Sequence, residues 1–209
     1  MIKLLVIGDS ISIDYQKYLQ IYVDDKIEIY SKNGIKEAYR DLDIIAGANC
    51  GDSSTTLEYL KMLDDNGILN YDYCIFNCGL HDIKRDTQKG YPLQIGEGLY
   101  KVNLCKIVEV LKKNNITPVF VSTTASYEER YKNASFIRRI DDVIRYNEIG
   151  REVMEQKGIE IIDLYRFTLG LGLSGDSLFR DHTHFTDEVI KLQAAYIAGA
   201  VNMFVSKHL

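Results

Sequence analysis

Apolar residues follow two rhythms along the chain. Short, nearly unbroken apolar runs have the length and Ile/Val content of buried strands: IKLLVI (2–7), LDIIAG (42–47), YDYCIFNC (71–78), TPVFVST (117–123) and IEIIDL (159–164). Between them, apolar positions recur at helical spacing. Over 97–114, Leu99, Val102, Ile107, Val110 and Leu111 fall near one stripe, and over 139–157 Ile140, Val143, Ile144 and Val153 do the same. A first helix is expected over 13–22. A last one is expected over 187–206, with Thr186 as N-cap and Asp187 and Glu188 at the positive end of its dipole.

Strand–helix alternation predicts a parallel sheet covered by helices on both faces. Strands buried on both sides need continuous apolar runs rather than alternation, and these runs supply them. The expected fold is therefore a three-layer α/β/α sandwich with a five-stranded parallel sheet, the whole of 1–209 forming one domain. In such sheets, ligands meet the carboxyl ends of the strands. The segments that follow the runs are Gly8-Asp9-Ser10, Ala48-Asn49-Cys50-Gly51, Gly79-Leu80-His81-Asp82 and Thr123-Thr124. The stretch 124–138 reads as the most mobile loop.

Composition excludes more than it selects. With 209 residues, 46% of them hydrophobic, the chain can bury a core without disulfide staples. A net charge of −5 argues against a nucleic-acid partner, which needs a basic face. The local basic pairs Lys112-Lys113 and Arg138-Arg139 read as solvated helix faces. The apolar run before Gly8 is too short for a signal-peptide core, and no stretch approaches the roughly 18 apolar residues of a membrane span. The expectation is a soluble cytoplasmic protein with Cys50, Cys74, Cys78 and Cys105 as free thiols, the sequons at Asn115 and Asn133 being idle there.

Gly-Asp-Ser occurs three times, at 8–10, 51–53 and 175–177. A serine is a poor nucleophile until a base takes its proton, so the histidines discriminate. Apart from His208 beside the C-terminus, they lie in GLHD (His81) and RDHTHF (His182, His184). Asp181 precedes His184 by three residues, a spacing at which a carboxylate in a turn can reach the imidazole and fix its tautomer. Ser10 follows a buried strand directly and precedes a helix, which places it at the sheet edge. Ser53 has no second His–Asp pair to serve it. Ser177 lies in the glycine-rich LGLGLSGDSL, whose formal dinucleotide fingerprint does not bridge a strand into a helix. Asp181, His182 and His184 could also be read as metal ligands, but no further ligand cluster accompanies them, and no metal is assigned.

Taken together, VIGDSIS, NCGDSSTT, NCGLHD and DHTHFT, in that order over essentially the whole chain, resemble the SGNH (GDSL-type) hydrolase superfamily, with Tyr146-Asn147 and IIDLY also in place. The resemblance implies a flavodoxin-like sheet and ester hydrolysis through an acyl-enzyme, with no metal or organic cofactor. It implies Ser10 as nucleophile, His184 as base and Asp181 as its orienting carboxylate. Three oxyanion donors are implied: the Ser10 N–H, the Ser54 N–H where the family has glycine, and the His81 ring where it has asparagine. A serine in a glycine's place raises the question of a positive φ. Asp9, Asn49, Asp82 and His182 are the expected substrate contacts. The expected substrate is a small-molecule or carbohydrate ester of a short acyl group, acetyl foremost, with Tyr127 and Tyr131 suited to stack on sugar rings. Alternatives on the same fold are a lysophospholipase or thioesterase, a sugar O-acyltransferase, and a non-catalytic binding module. No membrane or nucleic-acid partner is expected, and the oligomeric state is open.

Overall fold

The structure, a computed structural model, describes residues 1–131 and 134–206; Asn133 and His208 lie outside the described residues. Its main sheet holds β1 (Ile2–Ile7), β2 (Ile27–Ser31), β3 (Tyr73–Phe76), β5 (Thr117–Val121) and β7 (Glu160–Ile162). The spatial order is β2-β1-β3-β5-β7, and every pairing is parallel. Numbered by their place among these strands, that order is 2-1-3-4-5, the flavodoxin-like winding. A separate short antiparallel ribbon joins β4 (Arg85–Asp86) to β6 (Phe136–Ile137).

Helices cover both faces. The longer ones are α1 (Ser10–Tyr22), α3 (Ser53–Asp65), α4 (Glu97–Lys113), α5 (Ile140–Lys157) and α7 (Asp187–Ser206), with short α2 (Ile35–Ala38) and α6 (Leu164–Gly170) between them. Helices α3, α4 and α5 pack side by side, while α1 and α6 pack on α7. The central strands β1 and β3 are buried along nearly their whole length, as a sheet covered on both faces requires.

Four expectations need correction. The second strand is Ile27–Ser31, paired in register from Ile2↔Ile27 to Val6↔Ser31, and not 42–47. Only Ile27 in this edge strand is buried, with Ile29 and Tyr30 half-buried, and it lacks the continuous apolar run that marks the central strands. Segment 42–47 stays irregular: Ile44 is exposed, and the Asn49 side chain, not a neighbouring strand, donates to the Leu42 and Ile44 carbonyls. The stripe expected on helix α4 holds in its second half, where Ile107 and Leu111 are buried, and fails in its first. Leu99 and Val102 face solvent, and Tyr100, Asn103, Leu104, Ile107, Val108 and Leu111 face the core, anchored by the Tyr100 hydroxyl donating to the Cys78 carbonyl at 3.0 Å. Ile144 of α5 is likewise exposed. Finally, α7 is long and apolar enough to cross a membrane by length and composition, although half of that stretch is buried inside the fold.

Candidate active site

The first Gly-Asp-Ser makes a tight strand-to-helix turn at the carboxyl end of β1. Gly8 is needed for close approach, because a Cβ there would meet Asn77 Oδ1 at 1.8 Å. Asp9 caps α1: its Oδ1 accepts the Ile11 N–H at 2.9 Å. Ser10 is thereby the first residue of α1, in the turn whose N–H groups lack intrahelical acceptors.

His184 Nε2 lies 2.8 Å from Ser10 Oγ, and His184 Nδ1 lies 2.8 Å from Asp181 Oδ2. A carboxylate only accepts, so Nδ1 carries the proton and Nε2 is left to accept from the serine hydroxyl. The turn holding this pair is over-determined. Asp181 Oδ1 also accepts the backbone N–H groups of Thr183 and His184, at 2.8 and 2.7 Å. Arg180 donates its N–H to the His184 carbonyl and its guanidinium to Asp14 of α1, tying the turn to the helix that carries Ser10. Burial alone would raise the Asp181 carboxyl. The His184 ring, with the two backbone donors, holds it instead well below the usual carboxylate range.

His81 follows β3 and is 1% exposed. Neither ring nitrogen has a hydrogen-bond partner among the described residues. Burial first, then the cations Lys84 and Arg138, push its pKa well below that of a free imidazole. His81 is therefore a neutral ring holding one N–H donor and one acceptor inside the protein.

The second Gly-Asp-Ser repeats the turn of the first. Asp52 caps α3 by accepting the Thr55 N–H at 2.9 Å, and Ser53 is the first helical residue. Here the serine meets different partners. The Ser53 N–H points at both Asp82 oxygens at 3.1 Å, and the Asn103 amide donates to the Ser53 and Ser54 hydroxyls at 2.9 Å. Ser54 sits inside α3, so the question of a positive φ there does not arise; Gly51 takes it, at +60°. The block meets the nucleophile turn at Cys50, whose N–H donates to the Gly8 carbonyl at 2.8 Å. The Ser54 hydroxyl faces Asn103 of α4.

Three of the four expected substrate contacts are buried inside the fold. Asp9 is the cap of α1. Asn49 donates to the Leu42 and Ile44 carbonyls and accepts the Gly51 N–H at 2.8 Å, so its amide is fully used. Asp82 is buried against α3, and that burial pushes its carboxyl up to about 7 against the Ser53 donors. His182 is partly exposed, with Nε2 2.9 Å from Asp43 Oδ2. Tyr131 is buried and bonded through its hydroxyl to Thr183, so it offers no face to a sugar; Tyr127 stacks on Phe179. The third Gly-Asp-Ser forms a single 3-10 turn in which Ser177 Oγ donates to the Ser174 carbonyl and, among the described residues, to no histidine.

Sequence reading missed Arg138. Taken as part of a solvated face, it is instead 1% exposed and the largest fully buried side chain. The residue after it in the pair, Arg139, has the ordinary surface character expected of both, which is why composition gave no signal. Beside this cluster lies a cleft of about 480 Å³ walled by Lys84, Leu93, Gln94 and Phe136, with Gln94 bonded to Asp52.

No family model matches the sequence, and no curated protein matches it. Solved structures do match in fold. The lipase/acylhydrolase from Enterococcus faecalis superposes with a TM-score of 0.68 at 15% identity, covering 97% of this chain and 96% of that one. The acetyl xylan esterase AlAXEase gives a TM-score of 0.64 at 20% identity, covering 96% and 100%. The psychrotrophic esterase EstA from Pseudoalteromonas sp., in a structure inhibited by monoethylphosphonate, gives 0.65 at 14%, covering 98% of each chain. The chain thus has the fold of the GDSL/SGNH acylhydrolases over nearly its whole length.

Proposed function

We propose that the chain is a serine esterase working through an acyl-enzyme. The observation that carries the reading is the aligned Ser10–His184–Asp181 relay, with both contacts at 2.8 Å, at the start of α1. Ser10 Oγ attacks the ester carbonyl while His184 Nε2 takes its proton. The imidazolium that forms is stabilised by Asp181, which is already ionised. The oxyanion faces the Ser10 N–H at the positive end of α1 and the neutral His81 ring, whose N–H has no competing partner among the described residues. His184 then returns the proton to the departing alkoxide. Water, activated by the same base, releases the acid.

A short acyl group on a carbohydrate is the substrate class we favour. Ser10 and His184 are each 2% exposed, so the hydroxyl is recessed, which favours a small acyl group over a long chain. One protein of the same fold is named an acetyl xylan esterase. The test is a kcat/KM series over p-nitrophenyl esters from acetyl to octanoyl. Acetyl should be the best substrate and His184→Ala inactive. A rise with chain length would overturn the short-acyl assignment, and no turnover of any ester would overturn the esterase.

A further inference from the structure

A buried cation needs a reason. Taking a guanidinium out of water costs several kcal/mol unless its donors are matched, and Arg138 is almost wholly enclosed. Its partners come from four separate stretches of chain. Nε donates to the Leu80 carbonyl at 2.7 Å. Nη1 donates to Thr183 Oγ1 at 2.6 Å and to the Tyr131 hydroxyl at 2.9 Å. Asp43 Oδ1 lies at 3.3 Å from Nη2 and supplies the countercharge. One face of the guanidinium lies 5.0 Å from the Phe136 ring.

Two of these partners immediately precede the residues assigned to the chemistry. Leu80 precedes His81, and Thr183 precedes His184. The peptide is planar, so a bond to the Leu80 carbonyl fixes the plane that also carries the His81 N–H and leads into its Cα. The His81 ring makes no side-chain hydrogen bond of its own among the described residues, so its aim depends on that backbone and on packing. The Thr183 hydroxyl likewise pins the turn between Asp181 and His184.

Resting on the esterase reading, we propose that Arg138 is a positioning residue: one buried fork holds the His81 peptide and the His184 turn in register, so that oxyanion donor and base face the same carbonyl. The planar fork is essential to this, because it serves two acceptors at fixed angles. A lysine ammonium in the same space is a point charge that cannot hold both.

The test compares Arg138→Gln, Arg138→Lys and Thr183→Val with the parent protein. The last variant keeps the buried charge and covers the case in which the arginine variants do not fold. Two readouts are taken: p-nitrophenyl acetate turnover per site labelled by a fluorophosphonate, and the proton NMR signal of the His184 Nδ1–H held by Asp181. A misplacement of about 1 Å at catalytic groups can cost about 10²-fold. We therefore expect kcat to fall about 10- to 100-fold in both Arg138 variants and about 3- to 10-fold in Thr183→Val, with KM within about twofold. The His184 signal should shift or broaden in each. A merely structural arginine would lower the melting temperature and the labelled fraction while leaving kcat per labelled site and the signal alone. A folded variant with kcat per site within about twofold of the parent and an unchanged signal overturns the proposal. Should the parent itself neither label nor turn over, the esterase reading fails, and the His184 signal alone decides on the positioning.

Discussion

The turns at Gly8-Asp9-Ser10 and Gly51-Asp52-Ser53 are nearly the same object. Each has an aspartate N-cap, a buried serine at the first helical position and a glycine before the cap. Local sequence dictates that much, since an aspartate before a helix satisfies orphan N–H groups wherever it occurs. What differs is the side chain that arrives from elsewhere. Ser10 Oγ faces His184, 174 residues away. Ser53 Oγ faces the Asn103 amide, and its N–H faces a carboxylate whose pKa is pushed up to about 7. A base converts the first turn into a nucleophile. A donor on the hydroxyl and an acceptor on the N–H turn the second into a brace between α3, α4 and the segment after β3.

The sharpest break in this comparison is removal of each serine. Ser10→Ala should lower p-nitrophenyl acetate turnover by about 10⁴- to 10⁶-fold. Ser53→Ala should leave kcat within about threefold and instead cost about 1–2 kcal/mol of stability in urea unfolding, since the buried Asn103 amide loses an acceptor. Equal losses of kcat in the two variants would show that the turns are not distinct.

Asp181→Asn tests what makes the first turn reactive. An amide can donate to Nδ1 and stabilise the wrong tautomer, so kcat should fall about 10³- to 10⁴-fold. A loss under tenfold would detach Asp181 from the relay. His81→Phe keeps a ring and removes its N–H. We expect kcat to fall about 10²- to 10³-fold with little change in KM. Unchanged kcat would remove His81 from the oxyanion site.

The smallest effect on turnover concerns the second turn alone. The Asp82 pKa is raised on folding, so between its ordinary range near 3.8 and about 7 the folded state holds the proton that the unfolded state releases. Stability from this group is therefore full at low pH and falls as pH rises through that window, by up to about 1.4 kcal/mol per pH unit. Asp82→Asn should flatten that decline, measured as melting temperature from pH 4 to 8, while leaving ester turnover per labelled site within about threefold. An unchanged decline would place the titration on another group.

How much of this was legible beforehand follows from whether a signal was local. Four of the five sheet strands and four of the five long helices could be located from apolar runs and helical spacing; α3 was not, because the polar start of Ser53–Asp65 reads as a turn. Strand β2 was not, because IEIYS is no continuous apolar run, whereas the apolar letters of 42–47 belong to a segment held irregular by Asn49. Ser10, His184 and Asp181 could be picked out because strand-end position and the three-residue spacing are sequence properties. The question of a positive φ at Ser54 is answered only by the fold: Ser54 lies inside α3, and the left-handed residue of the block is Gly51, just before the cap at Asp52. Arg138 was invisible. Nothing in Ile137-Arg138-Arg139 tells which arginine turns inward, and its partners Asp43, Leu80 and Thr183 are brought to it only by the fold.

The central claim, that the base and not the tripeptide selects the reactive serine, is tested most directly by peptide mass analysis after treatment with a fluorophosphonate. One adduct on the peptide bearing Ser10 is expected, absent in Ser10→Ala and His184→Ala and retained in Ser53→Ala. An adduct on Ser53 or Ser177, or no adduct together with no ester turnover, would contradict it.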